Sequence, residues 1–314
     1  MPKIFFLSTV FSGNPDLEIQ RSESLRNWFT SDKTREEIEK LGFNKNDVET
    51  YFIGRGCENQ QGGIYKRYDG MVAKGTAVRD KIEGIKNEEK SVYGNYIIFF
   101  DGDGQIPFES FFDILKQLSK KEVEAVFACR CGNYGISNER ANIEKFELFL
   151  LSGKYGVYLP DGQCGCWGFK TDILSRIPLI ARGFEIELDI LSACLKNRIL
   201  PAYISVGIED SEESNFNPAD HIFKLDFLIQ KLEWNKEFVL KKYSEFVKKH
   251  GELPEGYVDI LKNKIDWPDI IPEKENQTEF FIRQGKLIPS CLNKCSINNK
   301  CPCQSKPILE SIET

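Results

Sequence analysis

The sequence predicts an α/β fold, a mainly parallel sheet flanked by helices, with a helical C-terminal appendage. Short β-rich runs alternate with helical patterns through about residue 210, the order that builds parallel sheets from strand–helix–strand units. From His221 the texture changes to one long amphipathic pattern, HIFKLDFLIQKLEWNKEFVLKKYSEFVKKHG. At 314 residues the chain can bury a sizeable core, either as one large α/β domain with an appendage or as two domains.

The elements follow in order. KIFFLSTVF reads as a first buried strand: it lacks the length and the small-residue cleavage site of a signal peptide. Glu18 to Leu41 is helical in composition, VETYFIG is a second strand, and Lys74 to Lys86 is a short helix. Tyr96 to Phe100 is a third strand, running into Asp101. SFFDILKQLS, residues 110–119, is a helix and VEAVFACR a further strand. Asn138 to Ser152 and Phe184 to Asn197 are helices, and AYISVGI closes the α/β part. Gly251 is placed to end the amphipathic pattern, and beyond it the chain turns Pro- and Asn-rich. Boundaries follow at 1–215, 216–290 and 291–314, the last a Cys-rich tail.

Bulk properties remove several function classes. The net charge of −6, with acids and bases interleaved, offers no field for nucleic acid, so a phosphorylated ligand needs locally placed Arg, Lys or metal. No apolar run approaches the roughly 18–20 residues that span a bilayer. A cytoplasmic protein is expected, with peripheral membrane contact left open. Ten cysteines, three pairs of them as C-x-C, are read as reduced thiols and not as a disulfide framework.

The stretch YIIFFDGDGQIPFE, residues 96–109, carries the chemistry. In open α/β sheets ligands sit beyond the carboxyl ends of strands, which is where Asp101 and Asp103 fall. Asp101, Asp103 and Gln105 alternate along the chain and offer three oxygen ligands to a hard divalent cation such as Mg²⁺ or Mn²⁺. A solvated acidic turn is the alternative, since Asp and Gly are common turn formers. An EF-hand loop fails because its twelfth position, where Glu is required, is Phe112. A haloacid-dehalogenase-type phosphatase also opens with a hydrophobic strand and D-x-D-G, but this chain has Gln105 in place of Thr or Val and no later G-D-x-x-x-D.

The flanks add Lys74-Gly75-Thr76-Ala77-Val78-Arg79 upstream, then Ile106-Pro107-Phe108-Glu109, Arg130, Arg140, Asp161, Gly168-Phe169 and Gly183-Phe184 downstream. In this order, over roughly residues 1 to 208, the chain resembles family 2 glycosyltransferases of the GT-A (Rossmann-like) fold. Among them it is most similar to polyprenyl-phosphate sugar transferases such as dolichol-phosphate mannose synthases. Their pattern is G-K-G-x-A-x-R, D-x-D-x-Q-x-P-P-E, two arginines, D-x-x-x-G-F and a G-[FY]-x-x-E-x-x-L helix.

The resemblance implies a metal-dependent, inverting transfer of sugar from a nucleotide-sugar donor to a phosphate or hydroxyl acceptor, which in such enzymes can be lipid-linked. It implies Asp103 and Gln105 on the metal, Asp101 on the nucleoside or metal, and Lys74 and Arg79 toward the donor. Arg130 and Arg140 would meet phosphate oxygens, which suits the bidentate guanidinium. Asp161 is the first choice of general base for a hydroxyl acceptor; an ionised phosphate acceptor would need none. Surface ion pairs with Glu139 or Glu144 are the alternative for Arg140, and helix surface is the expectation for Glu185 and Asp189.

The pattern also departs from the family. The second strand is followed by Gly54-Arg55-Gly56-Cys57 where base-reading aspartates are usual. Arg55 can meet phosphate or stack on a base there, or serve as a turn residue. Cys291, Cys295, Cys301 and Cys303 could hold a structural Zn²⁺, but C-x₃-C-x₅-C-x-C departs from the usual pair spacing, and unligated thiols are the alternative. Buried packing is expected for Cys164 and Cys166. The competing readings of the whole chain are a phosphatase or nucleotidyltransferase using the same carboxylate-bound metal, and a degenerate GT-A module that binds without catalysis.

Overall fold

Alternate residues of the first strand face opposite ways, and both ways are apolar. The computed structural model describes residues 2–10, 15–53, 74–88, 94–130, 138–181, 183–207, 218–254, 257, 258 and 261. In β1 (Ile4–Thr9) Phe5 and Leu7 enter one core while Ile4 and Phe6 enter another, so the strand is buried on both faces. β2 (Val48–Ile53), β3 (Tyr96–Asp101), β4 (Ala125–Arg130), β5 (Cys166–Lys170) and β6 (Ala202–Val206) complete a six-stranded sheet of order β2-β1-β3-β5-β4-β6. All pairings are parallel except those of β5, which runs antiparallel to both β3 and β4. This is the mainly parallel sheet flanked by helices expected from the sequence.

The reversed strand is the element the sequence reading lacked. Cys166-Trp167-Gly168-Phe169-Lys170 is short and has a glycine at its centre, a weak strand signal. The glycine is needed for packing: a Cβ there would come within 3.0 Å of the Ile97 carbonyl oxygen and 2.8 Å of Ile114. Trp167 stacks between Phe99 and Phe169, with ring centroids 4.8 and 5.5 Å away. Burial between two strands supplies what local propensity does not. Because β5 alone is reversed, its entry lies at the edge where β1, β3 and β4 end. The chain leading into it therefore runs between Asp101 and Arg130.

One face of the sheet carries α1 (Pro15–Thr30), α2 (Asp32–Lys40) and α4 (Ser110–Leu118). Phe111, Ile114, Leu115 and Leu118 form the buried stripe of α4, at the spacing of one helix face. The expected continuous helix to Leu41 is broken at Ser31, whose hydroxyl accepts from Thr34 N at 3.3 Å and caps α2.

The other face carries α3 (Lys74–Glu88), α5 (Asn138–Tyr155) and α6 (Ile186–Lys196), with α7 (Pro218–Leu232) and α8 (Lys236–His250) packed outside them. Every residue of α6 from Ile186 to Leu195 is buried, so charges on this helix are buried charges. The long amphipathic pattern divides at Glu233–Asn235, where Asn235 Oδ1 accepts from Phe238 N at 2.8 Å and caps α8. Among the described residues, no helix is long and apolar enough to cross a membrane.

Candidate active site at the carboxyl ends of the strands

Two clusters of charge meet at the edge where β1, β3 and β4 end. The first is built on Asp101, the last residue of β3. Its Oδ1 accepts from Thr9 Oγ1 of β1 at 2.9 Å, and its Oδ2 accepts from Lys74 Nζ at 2.6 Å. Lys74 opens α3, is itself buried, and donates also to Glu187 on the first turn of α6. Burial alone would lower the Lys74 pKa; Asp101 and Glu187 outweigh it and hold the ammonium above its usual value.

Asp103 follows in the turn, its Oδ1 accepting from Gln105 N at 3.1 Å. Burial pushes its carboxyl up from the ordinary range and Asp101 adds to that, against Gln105 N–H, Lys74 and Arg21. A carboxyl so placed gains most from a cation beside it. Among the described residues, no three or more His, Cys, Asp or Glu converge as a self-sufficient metal cage. One carboxylate and an amide oxygen are, however, the donor set with which a protein shares Mg²⁺ or Mn²⁺ with a diphosphate and water. Asp103 and Gln105 fit that demand, whereas both oxygens of Asp101 are already engaged.

The second cluster is built on Arg130, the last residue of β4. Its Nε and Nη2 grip Asp161 at 2.7 and 2.9 Å, and its backbone N donates to the same carboxylate at 3.1 Å. Nη2 donates also to Glu144 at 2.8 Å, and Glu144 accepts from Arg140 Nε at 2.8 Å. The Arg140–Glu144 pair anticipated for the surface is thus half inside: Glu144 is 4% exposed. Burial pushes Glu144 up, but Arg130 and Arg140 overcome it and bring its pKa to about 2. Burial lowers Arg130 in turn, and Asp161 and Glu144 more than reverse that, so the guanidinium stays charged.

The five residues entering β5 join the clusters. Gln163 N donates to Asp161 Oδ1 at 2.9 Å, and Asp101 N donates to Gly165 O at 2.6 Å. Gly165 lies so close to Asp101 that a Cβ would sit 1.8 Å from Oδ2, so only glycine leaves the carboxylate its place. Cys164 and Cys166 are buried as expected, and burial holds their thiols protonated.

The site residues are therefore distributed unevenly. Lys74 and Asp101 meet, and Arg130, Arg140 and Asp161 meet through Glu144. Arg79 turns instead to the loop before α6, donating to the carbonyls of Ile180 and Ala181 at 3.4 Å and pairing with Asp80. Arg55 and the four C-terminal cysteines lie outside the described residues. Glu187 is not among the sequence expectations, which name Glu185 and Asp189, although it is the fourth residue after Gly183 and fits the G-[FY]-x-x-E spacing. Asp189, expected on the helix surface, is fully buried because α6 is covered on all sides.

No family model matches the chain, and none of the curated proteins is similar to it. Among solved structures, it is similar to glucosyl-3-phosphoglycerate synthase from Mycobacterium tuberculosis in complex with phosphoglyceric acid, at 13% identity over 73% of this chain and 80% of that one, with a TM-score of 0.49. The same enzyme in complex with Mn²⁺, uridine diphosphate and glucosyl-3-phosphoglycerate gives 14% identity, the same coverage and a TM-score of 0.49. Its complex with Mg²⁺ and uridine diphosphate gives 14% identity over 73% and 79%, again with a TM-score of 0.49.

Proposed function

We propose that the chain is a metal-assisted glycosyltransferase of the family 2 type, moving a sugar from a nucleotide-sugar donor to a phosphate-bearing acceptor by direct, inverting displacement. The observation that carries this reading is the D-x-D-x-Q turn at the end of β3, whose Asp101 is held by the buried Lys74–Glu187 pair at the edge where ligands sit in such sheets. When bound, Mg²⁺ or Mn²⁺ would offset the negative charge that develops on the departing nucleoside diphosphate. Asp103 and Gln105 would hold that ion. Lys74 and Thr9 keep Asp101 aimed, on the nucleoside side, and Glu187 keeps Lys74 in place.

Arg130 and Arg140 supply the cationic rim for acceptor phosphate. Arg130 is pre-oriented because its guanidinium is already held on two sides, so little freedom is lost on binding. Asp161 accepts four hydrogen bonds, three from Arg130 and one from Gln163, which suits it to positioning Arg130. A hydroxyl acceptor would require Asp161 to leave those partners before taking a proton. This favours an acceptor that is already ionised.

The phosphatase alternative needs Asp101 as a nucleophile, and both its oxygens are held by Thr9 and Lys74. The test is calorimetry with UDP, GDP and ADP, each with and without Mn²⁺. One of them is expected to bind only with metal, and Asp103→Ala to weaken that binding at least a hundredfold. Metal-independent binding, or an unchanged affinity in Asp103→Ala, would sink the proposal. Hydrolysis of p-nitrophenyl phosphate that is lost in Asp101→Asn would favour the phosphatase instead.

A further inference from the structure

We propose that Lys231 and Asp189 are a positioning pair through which α7 fixes the loop before α6 against the first turn of α3, and so sets the place of Lys74 at the carboxylate corner. The consequence for donor binding rests on the proposed function; the mechanical link does not. Asp189 is fully buried on α6, and its Oδ2 accepts from the backbone N–H groups of both Ile180 and Ala181 at 2.7 Å. Its Oδ1 accepts from Lys231 Nζ, which donates also to the Asp189 carbonyl at 3.0 Å. Ile180 and Ala181 belong to no helix or strand, so their N–H groups need a partner elsewhere, and Asp189 supplies it.

The loop passes this constraint to α3. Gly183 O accepts from Gly75 N at 3.0 Å, and Arg79 Nη1 reaches the carbonyls of Ile180 and Ala181. Gly75 follows Lys74, whose ammonium binds Asp101 and Glu187. A chain of direct bonds therefore runs from α7 through α6 and the loop to α3 and β3. Without Lys231, the Asp189 charge is left with two peptide dipoles and no cation in a site closed to water. Such a carboxylate must hydrate or take up a proton, and either loosens its hold on the loop. Ile180 and Phe184, the large apolar side chains exposed among the described residues, both sit on the stretch that this pair governs. Ala181 enters the core and Leu179 packs against it, but Ile180 and Phe184 gain nothing from burial, so the polar anchor adds to what holds the stretch in place.

The test compares full-length Lys231→Met with Asn235→Ala, which weakens the α8 cap without touching the loop. Hydrogen exchange is followed by mass spectrometry in segments 74–80 and 177–185, and calorimetry uses UDP, GDP and ADP with Mn²⁺. Lys231→Met is expected to speed exchange at least tenfold in both segments and to weaken the wild-type nucleotide affinity at least tenfold. Asn235→Ala should speed exchange in α8 alone and leave the affinity within twofold. Should Lys231→Met not fold, Lys231→Gln, which keeps a donor but no charge, is expected to shift the same two segments by a smaller factor. Unchanged exchange in 74–80 and 177–185, or an equal effect from Asn235→Ala, overturns the proposal. Faster exchange at unchanged affinity also overturns it, by breaking the link to the corner. If the wild type binds none of the diphosphates, the proposed function fails, and the exchange pattern alone decides for or against the positioning pair.

Discussion

At the scale of single residues, Lys74, Glu187, Glu144 and Asp161 are buried charges, each paired with an opposite charge before any ligand arrives. Glu144 shows the energetic consequence. Its folded pKa of about 2 lies below the ordinary value of 4.5, so it stabilises the fold at neutral pH. That contribution is full above about pH 5 and is lost as pH falls through the window toward 2. Glu144→Gln should therefore cost about 3 kcal/mol at pH 7, the range for breaking a buried ion pair. The difference from wild type should shrink as pH approaches 2. Urea denaturation at pH 7, 4 and 2.5 measures this, and a difference that stays constant across the series would refute it. Motif spacing singles out Asp101, Lys74, Arg130 and Asp161, and the fold brings them to one edge of the sheet. Their pairings are not legible in the sequence. That Asp161 closes on Arg130 depends on β5 running backwards beside β4, and that Asp101 closes on Lys74 depends on α3 packing on β1 beside β3; no local pattern encodes either.

At the scale of elements, amphipathic and apolar runs were readable wherever one periodicity dominated. β1, β3, β4, β6, α4 and α5 follow the patterns that announce them. β5 did not, because five residues with a glycine at their centre carry little strand propensity and its order comes from Phe99 and its neighbours. The amphipathic pattern of the appendage is continuous in sequence, but the break between α7 and α8 turns the second helix back onto α5. Phe246 of α8 is fully buried there, its ring 5.2 Å from Phe146 and 5.7 Å from Phe149. Phe246→Ala should cost roughly 3–5 kcal/mol, the lost transfer energy plus the cavity. If α8 is integral to the fold, that loss appears as a shift of the single global denaturation midpoint, with the slope unchanged. An early, separate transition confined to helical signal would show that α8 melts on its own.

At the scale of the whole molecule, composition and packing divide the chain differently. The change of texture after residue 210 suggests a boundary near 215, between a sheet domain and an appendage. Yet Leu225, Leu228, Ile229, Leu232, Trp234, Val239 and Phe246 lie in the same apolar core as Phe5, Phe99 and Trp167 of the sheet. Each such side chain contributes about 1.5–3 kcal/mol when buried, so removing them forfeits on the order of 10–20 kcal/mol. That equals or exceeds the roughly 5–15 kcal/mol by which a typical domain is stable. Lys224 and Lys231 would be lost with them, leaving the Gln163 side-chain oxygen without its ammonium donor and the buried Asp189 carboxylate without its cation. A fragment of residues 1–215 is therefore predicted not to fold cooperatively, although it contains every strand and every candidate site residue described. Its spectrum of backbone amides should be poorly dispersed, and heating should give no sharp transition, while the full-length chain gives one. A dispersed spectrum and cooperative melting from residues 1–215 would show that the sheet carries its own core and that α7 and α8 are an accessory after all.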